Sequence, residues 1–352
     1  MNASSSFVRV TDFHQGRSKK QLVVKQKHSK MSKLQRNKRQ GKRGFGKELQ
    51  NQRFTEYIPK DDISTASSLK ASPAKPDSSF QKEIPRRDPQ LAECYRTKIF
   101  QFLTQKDPSR KIAIEALSEQ KEVTKGMRTI LIDWLVDVSF KFKILDDSLF
   151  AAVWILDRFL NVNRSVNRSL LQLYGATCLM IACKFEEVRP PSLKDYETVC
   201  DGAYTETDIL EAEAEILNTL QFDISVTTSF VFYKTFTRAI GLKKGKAFYY
   251  GEYLLTVALL NETQFKFSSM ELACGAVFLV GKMFKPFADW AKRVSDIIDC
   301  PDKIVKTAAK ALYKNLKTIP QSFTAVKRKY ARKEVFEVSK FKVERVSKAK
   351  KA

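Results

Sequence analysis

Apolar residues spaced three and four apart limit the folds open to this chain more than any other feature. They run from Leu91 to about residue 318 and never give way to strand-like alternation. The first set (Leu91, Tyr95, Ile99, Phe102, Leu103) predicts one amphipathic helix ahead of the main body. Five helical segments follow, at roughly 126–143, 147–161, 168–184, 192–200 and 206–220. The first of these is apolar on more than one face, as a central helix would be. Thr205 with Asp208 three residues on marks the start of the fifth. After Phe222-Asp223-Ile224 the rhythm restarts. Helices are expected near 227–240, 244–260, 268–284, 287–297 and 301–318, capped at their start by Thr227 or Thr228 and punctuated by Gly241 and Pro286. Two five-helix sets of about 100 residues each are more economical than one ten-helix domain.

The expected architecture is therefore all-α: two tandem five-helix domains preceded by an N-terminal helix. Residues 1–85 read as a disordered basic N-terminal region, too poor in apolar residues to offset the entropy of ordering. The N-terminal helix and lead-in occupy 86–125, the first domain 126–222 and the second 223–320. Residues 321–352 read as a basic, partly ordered tail.

A net charge of +24 invites a nucleic-acid reading, but the charge sits at the ends. Residues 1–60 hold 16 Lys/Arg against 3 Asp/Glu, and residues 320–352 hold 11 against 3. Residues 88–319 hold 31 against 29, so the body is nearly neutral. A module built on nucleic acid should carry a basic face within its fold, and this balance gives no sign of one. None of the six cysteines forms a C-x-x-C pair, and both histidines (His14 and His28) lie in the basic head, which excludes a Cys/His zinc site of ordinary spacing. No cofactor is expected. No secretory h-region and no 18-residue apolar run is visible, so an intracellular chain with no membrane partner is expected. An enzyme fits poorly: the stretch 241–247 (GLKKGKA) is one residue short of a P-loop and lacks its Ser/Thr, and no histidine in the body can serve as a base.

The stretch 127–137 (MRTILIDWLVD) is similar to the first helix of the cyclin box. Further matches follow in order: 155–160 (ILDRFL), 171–173 (LQL) and 182–191 (ACKFEEVRPP). Residues 268–277 (SSMELACGAV), and 327–330 (KRKY) followed by Val338-Ser339, resemble the second box and closing segment of A- and B-type cyclins. The resemblance covers roughly 88–340, and 138–145 (VSFKFKIL) looks closer to the B type.

The resemblance implies a non-catalytic activator of a cyclin-dependent serine/threonine kinase that helps recruit substrates at G2/M. Lys184 and Glu213 match the family's kinase-binding lysine and glutamate, with Phe185, Glu187 and Val188 supplying adjoining surface. Met127, Ile130, Leu131 and Trp134 fall at i, i+3, i+4 and i+7 on one helical stripe. The resemblance makes that stripe, with Asp137 and Gln172, a docking groove for Arg-x-Leu motifs in substrates or inhibitors. Asp137 stands where the family commonly has glutamate. Arg128 matches an arginine that forms a structural ion pair, here with Asp157.

Lys19-Lys20 and the 36–43 basic cluster suit nuclear import, and localisation to nucleus and cytoplasm is expected. Ubiquitin ligase machinery is a further partner expected by analogy, although none of Leu22, Leu34, Leu49 or Leu69 has an arginine three residues before it and 43–51 (RGFGKELQN) is a degenerate destruction motif at best. Ser72-Pro73 is a weak proline-directed phosphorylation signal. The competing reading is a cyclin-box transcription factor or transcriptional cyclin using its basic surface on nucleic acid; the neutral body weighs against it, and no direct nucleic-acid partner is expected.

Overall fold

The computed structural model describes residues 95–107, 112, 118–284, 300–320 and 322–341. The basic head, with the expected import cluster and the degenerate 43–51 stretch, the expected 287–297 helix and the last residues lie outside them. Every regular element among the described residues is helical. Helix α1 is Arg96–Lys106. The first domain holds α2 (Lys125–Lys141), α3 (Asp146–Val162), α4 (Leu171–Glu186), α5 (Leu193–Val199) and α6 (Glu206–Thr219). The second holds α7 (Ser229–Ala239), α8 (Lys246–Leu259), the single turn α9 (Thr263–Lys266), α10 (Ser269–Phe284) and α11 (Asp302–Thr318). A short α12 (Ala325–Tyr330) and two 3₁₀ turns, Lys333–Val335 and Val338–Lys340, close the described chain.

Helix starts follow local chemistry. Thr205 Oγ1 accepts from the Asp208 amide at 3.2 Å while the Asp208 carboxylate accepts from the Thr205 amide at 2.8 Å, a reciprocal cap. Ser192 and Asp195 do the same for α5, and Thr228 caps α7. The centre of the first domain is α4, not the expected 126–143 segment. Its residues are buried almost continuously from Leu171 to Cys183, with α2, α3, α5 and α6 packed around it. The several apolar faces of α2 serve the junction with the second domain and the closing segment as well as its own core. In the second domain α10 is the central helix, packed by α7, α8 and α11. Both central helices carry a glycine at a close crossing. A Cβ on Gly175 would lie 2.7 Å from Leu131 Cδ1, and one on Gly275 would lie 2.8 Å from the Ala309 backbone nitrogen.

Two features differ from the sequence expectation. At α1 most of the expected apolar stripe is outward: Tyr95, Ile99 and Phe102 are exposed. Leu103 of that stripe packs on the core together with Phe100, which lies edge-on to Phe236 of α7. Just beyond α1, the Asp107 carboxylate accepts from the Ser269 and Met270 amides, capping α10. Residues 322–341, expected as part of a loose tail, form a strap packed on both domains. Val326, Tyr330 and Val338 are buried, Asp133 of α2 accepts from the Ala325 and Val326 amides, and Tyr330 shares a 3.0 Å hydrogen bond with Thr256 of α8.

Candidate functional site

Two surfaces of the first domain collect the residues singled out above. Lys184 ends the buried helix α4 and Glu213 stands midway along α6, which packs against it. Lys184 Nζ lies 2.6 and 2.8 Å from the two Glu213 oxygens, with Lys184 half exposed and Glu213 mostly enclosed. A rigid donor and acceptor thus stand side by side at the surface. Phe185 and Val188 lie beside this pair in the chain and are exposed, Val188 almost entirely (97%). Sequence reasoning missed Leu210, one turn before Glu213 on the same face of α6, and Phe222 just beyond that helix at φ +58°; both are exposed. At Phe222 a large apolar side chain is held outward by a left-handed backbone, which only the structure reveals.

Glu187 has a different task from its neighbours. Its Oε1 accepts from the Leu145 amide at 2.8 Å and from Ser148 Oγ at 2.7 Å. Leu145 provides no side-chain cap for α3, so Glu187 caps that helix from 42 residues away. It also holds Leu145, half exposed, beside the Phe185–Val188 surface.

The second surface lies along α2. Ile130 is exposed (46%), Met127 and Trp134 are half-buried, and Leu131 is buried (6%). Leu131 is pressed onto Gly175 and forms the floor, not the rim, of the stripe. Gln172 sits one turn before Gly175 on α4, so it shares the edge facing α2. Asp137, at the other end of the stripe, is already engaged: Arg328 of the strap donates to its Oδ1 at 2.6 Å. Arg332 of the strap stacks over Phe140 nearby, 4.4 Å from the ring centroid.

Arg128 points away from both surfaces. Nε and Nη2 bind the two Asp157 oxygens at 2.5 and 2.7 Å, and Nη1 donates to the Leu259 carbonyl of α8 at 3.0 Å. Gln264 of α9 also donates to Asp157. Burial pushes the Asp157 carboxyl up, and the Arg128 charge opposes it. The pair therefore locks the two domains together as well as the first one internally. A second inter-domain cluster forms at the start of α3, where Lys329 of the strap binds Asp146 and Lys234 of α7 binds Asp147 at 2.5 Å. Glu252 of α8 is buried beside them; burial, then the Asp146 charge, pushes its carboxyl up to about 8 against the pull of Lys329, Lys244 and Lys234.

Among the described residues no cluster of His, Cys, Asp and Glu could hold a metal, and no helix is long and apolar enough to cross a membrane. Two tandem all-helical boxes, a surface Lys–Glu pair on neighbouring helices and an apolar stripe on the first box helix define the architecture of a cyclin. Sequence comparison agrees: residues 98–225 match the family model of the cyclin N-terminal domain and residues 227–344 that of the C-terminal domain. The chain belongs to the cyclin family, among the A- and B-type members and nearer the B type. It is 34% identical over 245 residues to cyclin-B2-2 of Oryza sativa subsp. indica, covering 67% of this chain and 56% of that one. It is 30% identical over 253 residues to the G2/mitotic-specific cyclin-B of Marthasterias glacialis, covering 72% and 64%. An A-type cyclin of Arabidopsis thaliana is 36% identical over 204 residues, covering 56% and 57%. The chain spans about half the length of the curated relatives it matches. A viral cyclin from herpesvirus saimiri shares the fold, with a TM-score of 0.51 at 19% identity over 56% of this chain and 88% of that one.

Proposed function

We propose that this chain is the regulatory, non-catalytic subunit of a cyclin-dependent protein kinase and acts at G2/M. The observation that carries the reading is the preformed Lys184–Glu213 pair flanked by exposed Phe185, Val188, Leu210 and Phe222. Lys184 is half exposed, so its end of the pair is screened by solvent and can turn toward a partner's backbone groups. Until then each side chain keeps the other in place, which limits the ordering cost of binding. The regulator works by differential affinity: it grips the kinase state in which the mobile helix is swung in and the Lys–Glu pair of the kinase is complete. Phosphoryl transfer remains with the kinase.

The α2 stripe is the proposed docking site for Arg-x-Leu motifs. Ile130, Met127 and Trp134 form an apolar slot over Leu131, with Asp137 at one end for the arginine. Burying one leucine there contributes roughly 1.5–3 kcal/mol, suited to transient recruitment. Trp134→Ala removes the widest wall of the slot. An Arg-x-Leu peptide should bind it at least several-fold more weakly than it binds the native chain, whereas equal affinity rules the groove out. Abundance and kinase association followed through synchronised division test the timing: both should peak at G2/M, and constant association contradicts that assignment.

A further inference from the structure

The near-neutral balance of the body conceals a segregated charge pattern on α11. This helix turns Val305, Ala308, Ala309 and Leu312 into the second domain. On the opposite side stand Lys303, Lys306, Lys310, Lys314 and Lys317, all exposed. At 100° per residue the five fall within an arc of roughly 80°, forming a straight row roughly 21 Å long. Successive steps of three and four residues repel along a helix face, and after Asp302 the helix holds no acidic residue to relieve them. Asp302 binds Lys306 at 2.7 Å, and Lys317 lies over the Tyr313 ring. Among the described residues no carboxylate pairs with Lys303, Lys310 or Lys314. An ordinary solvated face intersperses both signs.

We infer that the α11 row is a docking rail for the phosphodiester backbone of duplex nucleic acid. Charge complementarity points to a polyanion, and two details select the class. The row is straight and rigid, and its length matches about six base pairs at 3.4 Å each. Thr307 and Tyr313 flank the row and no aliphatic side chain lies within it, so it offers no aliphatic anchor for a membrane. Binding is therefore independent of base sequence and strongly salt-dependent. The row lies in the second domain, away from Lys184, Glu213 and the α2 stripe, and the inference stands without the kinase reading. It departs from the expectation drawn from bulk charge, which averages over faces.

The test uses the full chain and a fluorescent duplex of about 20 base pairs of mixed sequence, titrated over a range of salt. Replacing Lys303, Lys310, Lys314 and Lys317 with Gln, a helix former of similar strength, should lower the slope of log K against log salt by about 3.6, at 0.9 per lost contact, and weaken binding by at least about tenfold. Arginine at the same four positions should bind as the native chain does. The control replaces Lys342, Lys348, Lys350 and Lys351 with Gln, removing equal charge from the end. An unchanged slope in the α11 variant overturns the proposal, as does an equal loss in the control or a failure of the arginine variant to bind. So does a loss seen only toward polyglutamate or phosphatidylserine vesicles with duplex binding intact.

Discussion

Arg128 is 1% exposed, yet it carries a full charge, and its place is justified only by the three acceptors around it: both Asp157 oxygens and the Leu259 carbonyl. Removing one partner of a buried pair strands the other, at a cost of about 3–5 kcal/mol. Arg128→Ala should therefore lower the urea midpoint of the whole molecule, and a change under about 1 kcal/mol would contradict the pairing described. Arg328 makes a subtler contribution. By holding Asp137 at 2.6 Å it competes with any docking arginine for the same carboxylate. Arg328→Ala should raise affinity for an Arg-x-Leu peptide a few-fold and leave an Ala-x-Leu peptide unchanged; equal shifts for both peptides would show that Asp137 does not read the arginine.

At the scale of elements, helix contacts decide what is tolerated. Gly275 lets α10 meet the backbone of α11, and Gly275→Val should destabilise by roughly 1–3 kcal/mol through overpacking, measurable by thermal melting. Glu187→Ala uncaps α3 and should cost about 1 kcal/mol in the same assay. Most helices were legible in the sequence because spacing and caps agree, as at Thr205 and Asp208. The strap was not: its basic composition resembles a tail, whereas Arg328 and Lys329 spend their charge on Asp137 and Asp146, nearly two hundred residues away. The role of Glu187 was hidden for the same reason, since its partners are distant in sequence. Periodicity also misjudged α1, because equal spacing does not say which of two apolar faces meets a neighbour. The positions of Lys184 and Glu213 were legible only through family resemblance; spacing alone made Glu213 one helix carboxylate among several.

Over the whole molecule, the two domains and the strap meet at a buried charged cluster, and Glu252 makes that junction pH-sensitive. Its folded pKa, about 8, lies above the ordinary glutamate value of 4.5, so the folded state binds the extra proton. The stabilisation is complete below about 4.5 and is lost as pH rises through about 8. Stability should thus fall across that window in the native chain and flatten in Glu252→Gln; parallel curves would contradict the assignment. None of this junction is needed to present Lys184 and Glu213, which stand on α4 and α6 within one domain. The central claim therefore rests on a single comparison: phosphorylation of a model substrate by a purified cyclin-dependent kinase, with the native chain or with the Lys184→Ala, Glu213→Ala double variant. The native chain should activate the kinase and co-purify with it. The variant should do neither while keeping its helical melting transition, and full activation by the folded variant would contradict the account.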